Sequence, residues 1–270
     1  MFINLNKLAI AIAATLALSS CQSRATVRQP PKILLPLYIY PNWYESKYAW
    51  SEVVSAAAKV PLVAIINPNN GPDGKPPNED YQKGLADLRK SNATILGYVY
   101  TKYGDRPQAE VIQDIILYAR YYDVDGIFVD ETASNVKQLE YYRDIYNYIK
   151  QQTHLDRVVI NPGTSTDRAY LTKPAADVAV IFENYPQPWQ EYQSPKYSQN
   201  HPASRFASLI HSVKDVESMK QYIDLAIERN IGYIYVTDDS PDNEDRDPWN
   251  SLPSYWQEEV DYIHSLMLKK

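Results

Sequence analysis

Eight short apolar runs, each followed by a stretch with helical patterning, constrain this chain more than any other feature. The runs are Leu34–Tyr40, Leu62–Asn67, Thr94–Thr101, Gly126–Asp130, Arg157–Asn161, Val178–Glu183, Ser208–His211 and Gly232–Thr237. They are rich in Val, Ile and Tyr, and several are apolar almost throughout, as strands covered on both faces must be. Between them lie Tyr44–Lys59, Glu79–Ser91, Pro107–Tyr122, Asn135–Gln152, Val213–Arg229 and Pro253–Leu268, with shorter segments at Ser165–Thr172 and Gln187–Tyr197. In the third of these, Val111-Ile112, Ile115-Ile116, Tyr118-Ala119 and Tyr122 repeat at helical spacing. Strand and helix in alternation imply parallel pairing through right-handed crossovers. Eight such units predict an α/β fold, a (β/α)8 TIM barrel forming a single domain over residues 33–270. The structural alternative, a doubly wound nucleotide-binding sheet, lacks a Gly-rich phosphate loop after its first strand.

The chemically useful side chains sit at the C-terminal ends of the runs: Asn67, Asp130-Glu131, Asn161, Glu183 and Asp238-Asp239. A closed parallel barrel gathers those ends on one face, so carboxylates far apart in sequence converge on one pocket. On a regular strand Asp130 and Glu131 point to opposite sides, and both reach the mouth only if the chain turns between them. With Phe128 and Asp130 inward, Asp130 enters the mouth; the alternative is a helix N-cap for the segment near Ala133. Glu183 ends an apolar run, so it needs a partner or a raised pKa. Two carboxylates on nearby strands are what glycoside hydrolysis requires, one as nucleophile or base and one as general acid.

Asn67 and Asn161 each precede Pro, and two readings stand for them: turn formers, or amides that bind sugar hydroxyls and orient a carboxylate. Tyrosine is abundant, 24 residues against 4 Phe, which suits a cleft needing both rings and hydroxyls. Tyr38, Tyr40, Trp43, Tyr98, Tyr100, Tyr103, Tyr185, Trp189 and Trp249 lie at or beyond strand ends as candidate stacking surfaces, some of them as barrel filler. His211, at a strand end, is placed in the pocket lining. The four histidines, His154, His201, His211 and His264, lack metal-binding spacing, so neither metal nor cofactor is expected. No GxSxG elbow is present, which argues against a serine hydrolase. The acids Asp238, Asp239, Asp242, Glu244, Asp245 and Asp247 read as a solvated loop in preference to a Ca²⁺ site.

Residues 1–20 read as a bacterial lipoprotein signal peptide. Lys7 supplies the positive charge, Leu8–Leu18 is too short to span a bilayer, and Leu18-Ser19-Ser20-Cys21 resembles a lipobox with Cys21 as the lipidated residue. An ordinary signal peptide with an incidental cysteine is the alternative. Residues 21–32 form a polar tether, and Gln22 after the cysteine favours the outer membrane or cell surface, with the protein facing the periplasm or exterior. The formal charge is −6, and removal of residues 1–20 takes away one lysine and no acid. A net acidic chain does not suit nucleic acid, and it suits a cationic substrate.

Eight ordered blocks resemble the spherulin-4 family of glycoside hydrolases. They are IYPNW at Ile39–Trp43, VAIINPNNGP at Val63–Pro72, ILGYVYTKYGDR at Ile95–Arg106, YYDVDGIFVDE at Tyr121–Glu131, NPGT at Asn161–Thr164, FEN at Phe182–Asn184, LIHS at Leu209–Ser212, and the VTDD…DPWNSLPSYW tail. The resemblance implies a (β/α)8 barrel and endo-acting hydrolysis of α-1,4-linked galactosamine or N-acetylgalactosamine polymers of exopolysaccharide and biofilm matrix. It implies Asp130 and Glu183 as essential acids, Asn161 as an essential amide and Glu131 as a supporting acid. The resulting expectation is a monomeric, lipid-anchored enzyme with Asp130 as nucleophile or stabilising carboxylate and Glu183 as acid/base. Asn161, Glu131, His211, Tyr40, Tyr98, Tyr100, Asn67, Tyr185 and Asp238 are expected to position the polysaccharide. A non-catalytic polysaccharide-binding lipoprotein and a hydrolase of another amino-sugar polymer are the alternatives, and stereochemical outcome stays open.

Overall fold

The computed structural model describes residues 29–73 and 76–269. Eight parallel strands, in sequence order around the ring, close into a barrel. They are β1 Lys32–Leu37, β2 Leu62–Ile66, β3 Thr94–Tyr100, β4 Gly126–Asp130, β5 Arg157–Ile160, β6 Val178–Asn184, β7 Phe206–Ile210 and β8 Tyr233–Val236. The helices are α1 Ala49–Ala57, α2 Glu79–Arg89, α3 Gln108–Tyr121, α4 Leu139–Gln152, α5 Ala169–Thr172, α6 Pro186–Glu191, α7 Val216–Glu228 and α8 Trp256–Leu268. The expected (β/α)8 architecture is therefore the observed one. Residues 1–28, with the lipobox and Cys21, lie outside the described residues. Among the described residues no helix is long and apolar enough to cross a membrane.

Local chemistry sets the element ends. Asn78 caps α2 by accepting from the Tyr81 amide at 2.9 Å, with Glu79 and Asp80 in the first turn where the helix dipole favours acids. Asp215 caps α7 through the Ser218 amide at 2.8 Å. Two expected boundaries move. The first strand stops at Leu37, the last residue paired to β2 (Leu37↔Ile66), so Tyr38–Tyr40 run on above the sheet. The first helix begins at Ala49, because Trp43 and Tyr40 are held in the preceding loop by hydrogen bonds to Asp80.

All five residues of β2 and all five of β7 are buried, since barrel interior and helical layer cover opposite faces of each strand. Helix α3 comes so close to β3 that a Cβ on Gly97 would meet the Tyr118 ring at 2.5 Å. The ring closes through Lys32↔Tyr233 and Ile33↔Ile234. Beyond that short ladder the buried Glu259 of α8 accepts from the Val236 amide at 3.1 Å, occupying a position a β1 carbonyl would otherwise take.

One irregularity decides which residue enters the barrel. The β6–β7 register runs Val180↔Ala207 and then Phe182↔Ser208, so Ile181 is an extra residue, a β-bulge. Alternation from Val178 would put Val180 and Phe182 inside and Glu183 outside. The extra residue reverses the phase. Phe182 accordingly packs outward on Trp189 and Tyr192, with ring centroids 4.8 and 5.0 Å away, and Glu183 turns into the barrel mouth.

Candidate active site

Asp130, Asn161 and Glu183, from the ends of β4, β5 and β6, meet at one amide group. Asn161 Nδ2 donates one hydrogen to Asp130 Oδ1 at 2.7 Å and the other to Glu183 Oε2 at 2.6 Å. Its Oδ1 accepts from the Gly163 amide at 3.0 Å, which fixes the orientation of the amide group. Both readings of Asn161 are thus true together: it forms the Asn-Pro-Gly turn and presents its NH₂ to the carboxylates. Gly163 has φ of 63° and its carbonyl accepts from the Glu183 amide, so the turn also anchors β6. The two hydrogen bonds laid end to end limit the separation of the bridged oxygens to ~5.3 Å.

The two carboxylates are held differently. Asp130 also accepts from Tyr98 Oη at 2.8 Å and from the Glu131 backbone amide. Burial raises its pKa, and these three donors hold it down. Burial also raises Glu183, the negative charge of Asp130 raises it further, and only the Asn161 bond opposes, leaving it at about 7. The surroundings therefore favour the negative charge on Asp130 and the proton on Glu183. An ionised carboxylate beside a protonated carboxylic acid is the equipment for nucleophilic attack with proton donation to a leaving oxygen.

Other expected site residues divide by place. Glu131 follows Asp130 at φ 49°, so the chain does turn there; its carbonyl is gripped by Thr101 Oγ1 and the Tyr103 amide, and its charge reaches Tyr98 and Tyr103 at the mouth. Tyr38 is half-buried and edge-on to Tyr98 at 5.6 Å, with its hydroxyl within the influence of Asp130 and Glu183, so it lies beside the carboxylates. His211, Tyr185 and Trp249 form a second wall: His211 is 4.4 Å from the Tyr185 ring and 6.0 Å from Trp249. Tyr100 carries the Arg106 guanidinium on its ring at 4.2 Å. Tyr40 and Trp43, both exposed, are pinned by their polar atoms to the two oxygens of Asp80 at 2.7 and 2.8 Å, an outer aromatic platform away from the carboxylates.

Three of the expected residues have other partners within the fold. The carboxylate of Asp238 accepts from the Ser254 amide and hydroxyl just before α8, so it braces that loop. The Asn67 carbonyl accepts from the Gly71 amide at 2.9 Å, which is the turn-forming reading. Trp189 is fully buried between Phe182 and Tyr192. The acidic tail is also less uniform than a solvated loop. Asp239 is buried and accepts from Ser240, Asn243 and Ser251, while Asp247 is partly buried, pushed up by that burial, and close enough to influence Tyr38. The Pro-Trp after Asp247 was the available signal, because an apolar pair pulls its neighbour inward. Among the described residues no group of three or more His, Cys, Asp or Glu is arranged to hold a metal ion.

Comparison with known proteins fits this geometry. The model of spherulation-specific family 4 matches residues 32–263, all eight strands included. The chain belongs to that family. It is 33% identical over 253 residues to spherulin-4 of Physarum polycephalum, covering 90% of this chain and 73% of that protein. Among solved structures it is similar to Sph3 of Aspergillus clavatus in complex with GalNAc, at 27% identity and TM-score 0.75, over 87% of this chain and 98% of that one. A trimodular endoglucanase of glycoside hydrolase family 5 shares the fold at 9% identity and TM-score 0.51, over 89% of this chain and 60% of that one. The family membership and the Aspergillus neighbour support a carbohydrate-active protein, and the endoglucanase shows that its barrel is a fold found in glycoside hydrolases.

The buried pair has a consequence for stability. In the unfolded chain Glu183 ionises near its ordinary 4.5, and in the folded protein it keeps its proton to about 7. The folded state therefore binds more protons between those values, and stability falls as pH rises through that window. Glu183→Gln removes the cost of ionising the group and is expected to be more stable than the parent at pH 8 by roughly 1–3 kcal/mol, with a smaller difference at pH 4. Urea denaturation at both pH values checks this; equal stability at pH 8 would contradict a desolvated Glu183.

Proposed function

We propose that this chain is a retaining, endo-acting glycoside hydrolase that cleaves α-1,4-linked galactosamine and N-acetylgalactosamine polymer at the cell surface. The observation that carries the reading is the Asp130–Asn161–Glu183 arrangement, one proton and one negative charge held about a single amide. Glu183 gives its proton to the glycosidic oxygen while Asp130 attacks the anomeric carbon, so the C–O bond breaks as a glycosyl–carboxylate ester forms. Glu183, now ionised, then takes a proton from water, whose oxygen attacks the anomeric carbon and releases Asp130. The bridged oxygens, at most ~5.3 Å apart, favour the roughly 5–5.5 Å spacing of retaining enzymes over the roughly 6.5–9.5 Å of inverting ones.

The substrate class follows from several supports. The Aspergillus relative was solved with GalNAc. The formal charge of −6 suits a partly deacetylated, cationic polymer. Exposed rings at Tyr40, Trp43 and Tyr103 suit an extended chain crossing the mouth. The same reading keeps a lipid on Cys21, which would hold the enzyme against the polymer at the membrane.

With amino-sugar polymer as substrate, Asp130→Asn and Glu183→Gln are each expected to lower kcat by about 10²–10⁴-fold, the usual scale for losing a positioned acid or base. The parent activity should fall above an apparent pKa of about 7 as Glu183 loses its proton. Proton NMR of the first-formed reducing ends should show the α-anomer. Normal cleavage by both variants, tight binding with no new reducing ends, or initial β-product would overturn the reading. Fractionation tests the anchor separately: Cys21→Ser should move the protein from the membrane fraction to the soluble one, and an unchanged distribution would contradict lipidation.

A further inference from the structure

A chain of hydrogen bonds behind His211 is not used by the carboxylate pair. His211 Nδ1 lies 3.0 Å from Ser212 Oγ, Ser212 Oγ donates to Ser240 Oγ at 2.8 Å, and Ser240 Oγ donates to Asp242 Oδ2 at 3.3 Å. Tyr185 Oη donates to the other oxygen of Asp242 at 2.9 Å, and the Tyr185 ring stands edge-on to the imidazole. The order of donors is fixed from the far end. An ionised carboxylate only accepts, so Ser240 spends its proton on Asp242 and Ser212 spends its proton on Ser240. Ser212 Oγ can then only accept from the imidazole, which requires the proton of His211 to sit on Nδ1.

The opposite nitrogen has no hydrogen-bond partner among the described residues. Burial pushes the pKa of His211 down, against a smaller opposing pull from Asp242, which favours the neutral ring. Its place is set by register. Glu183 pairs with Leu209 and Asn184 with Ile210, so His211 stands one inward step above Glu183 on the adjoining strand. Ser212 is held at φ 63°, an uncommon conformation for serine, with its amide bonded to the Asp239 carbonyl at 2.7 Å. That turn aims the hydroxyl back at the imidazole.

We propose that His211 is a hydrogen-bond acceptor for the sugar: the Ser212–Ser240–Asp242 relay pins its proton on Nδ1, and Nε2 takes a hydroxyl or amide N–H of the residue bound beside Glu183. This rests on the carbohydrate substrate proposed above and deepens it by naming a donor-reading contact in the subsite. Ser212, Ser240 and Asp242 are positioning residues that act through the tautomer.

Two-bond hydrogen–nitrogen correlation spectra of the ¹⁵N-labelled protein, with His211 assigned by its loss in His211→Gln, read the tautomer directly. The expected spectrum has a protonated Nδ1 and a pyridine-like Nε2, with Nε2 moving toward the hydrogen-bonded range as N-acetylgalactosamine or galactosamine is added to saturation. Ser240→Ala should give mixed tautomers and raise KM for the polymer severalfold, with a smaller change in kcat. His211→Leu should raise KM about tenfold, the scale of one lost hydrogen bond. His211→Gln, whose amide oxygen replaces Nε2 as acceptor, should recover part of that loss. A protonated Nε2 in the free protein, or no Nε2 response to either sugar at saturation, overturns the proposal. If the tautomer and the sugar response hold while no amino-sugar polymer is cleaved, His211 keeps this role and the hydrolase reading falls.

Discussion

Two partly buried carboxylates sharing one amide group define the chemistry of this protein. Asn161 spends both of its hydrogens on Asp130 and Glu183, and no cationic side chain among the described residues pairs with them. Two negative charges at that distance in a shielded pocket repel strongly, so the pair keeps a proton. Which side keeps it is decided by the surroundings. Asp130 has the Tyr98 hydroxyl and the Glu131 amide in addition to Asn161, while Glu183 has only the shared amide. The difference in donors separates the two roles without any difference in the chemical type of the group.

The rest of the fold serves to deliver these three side chains to one point. Parallel strands bring positions 130, 161 and 183 to the same face, and three local departures from regular structure finish the aim. The bulge at Ile181 reverses the phase of β6 so that Glu183 points inward. The Asn161–Gly163 turn clamps the amide and anchors Glu183 through its backbone. Glu131 and Ser212, each in the left-handed region directly beyond a strand end or its last inward residue, bend the chain back over the mouth. Backbone strain of this kind costs on the order of 1–3 kcal/mol per residue and persists where surrounding contacts enforce it. The thick apolar core between barrel and helices supplies that enforcement.

Much of this was legible in the sequence because it depends on periodicity and on strand ends. Eight apolar runs with helical stretches between them specify a closed parallel barrel, and the acids and amides that end the fourth, fifth and sixth runs specify its working sector. The bulge was not legible: simple alternation along Val178–Glu183 gives Glu183 the wrong side, and no residue type announces the extra position. Asp238 and Asp239 could not be told apart by sequence, because one braces the start of α8 and the other holds its own loop. Likewise Trp189 and Trp43 look equivalent beyond their strand ends, yet one fills the space outside β6 and the other stands in solvent. Contacts made by long loops folding back on themselves carry no local signal. The His211 relay, assembled from residues on the β7 and β8 loops, belongs to the same class.

The claim on which the rest turns is that Glu183 holds the shared proton because burial and the charge of Asp130 beside it both disfavour its ionised form. Carbon-13 NMR of protein labelled at the glutamate side-chain carboxyl measures this directly, with Glu183 assigned from Glu183→Gln. Glu183 is expected to titrate near pH 7, and its midpoint is expected to fall in Asp130→Asn, where the neighbouring charge is gone and burial alone holds it up. A Glu183 signal that already titrates near 4.5 in the parent protein, or a midpoint that does not fall at all in Asp130→Asn, would contradict it.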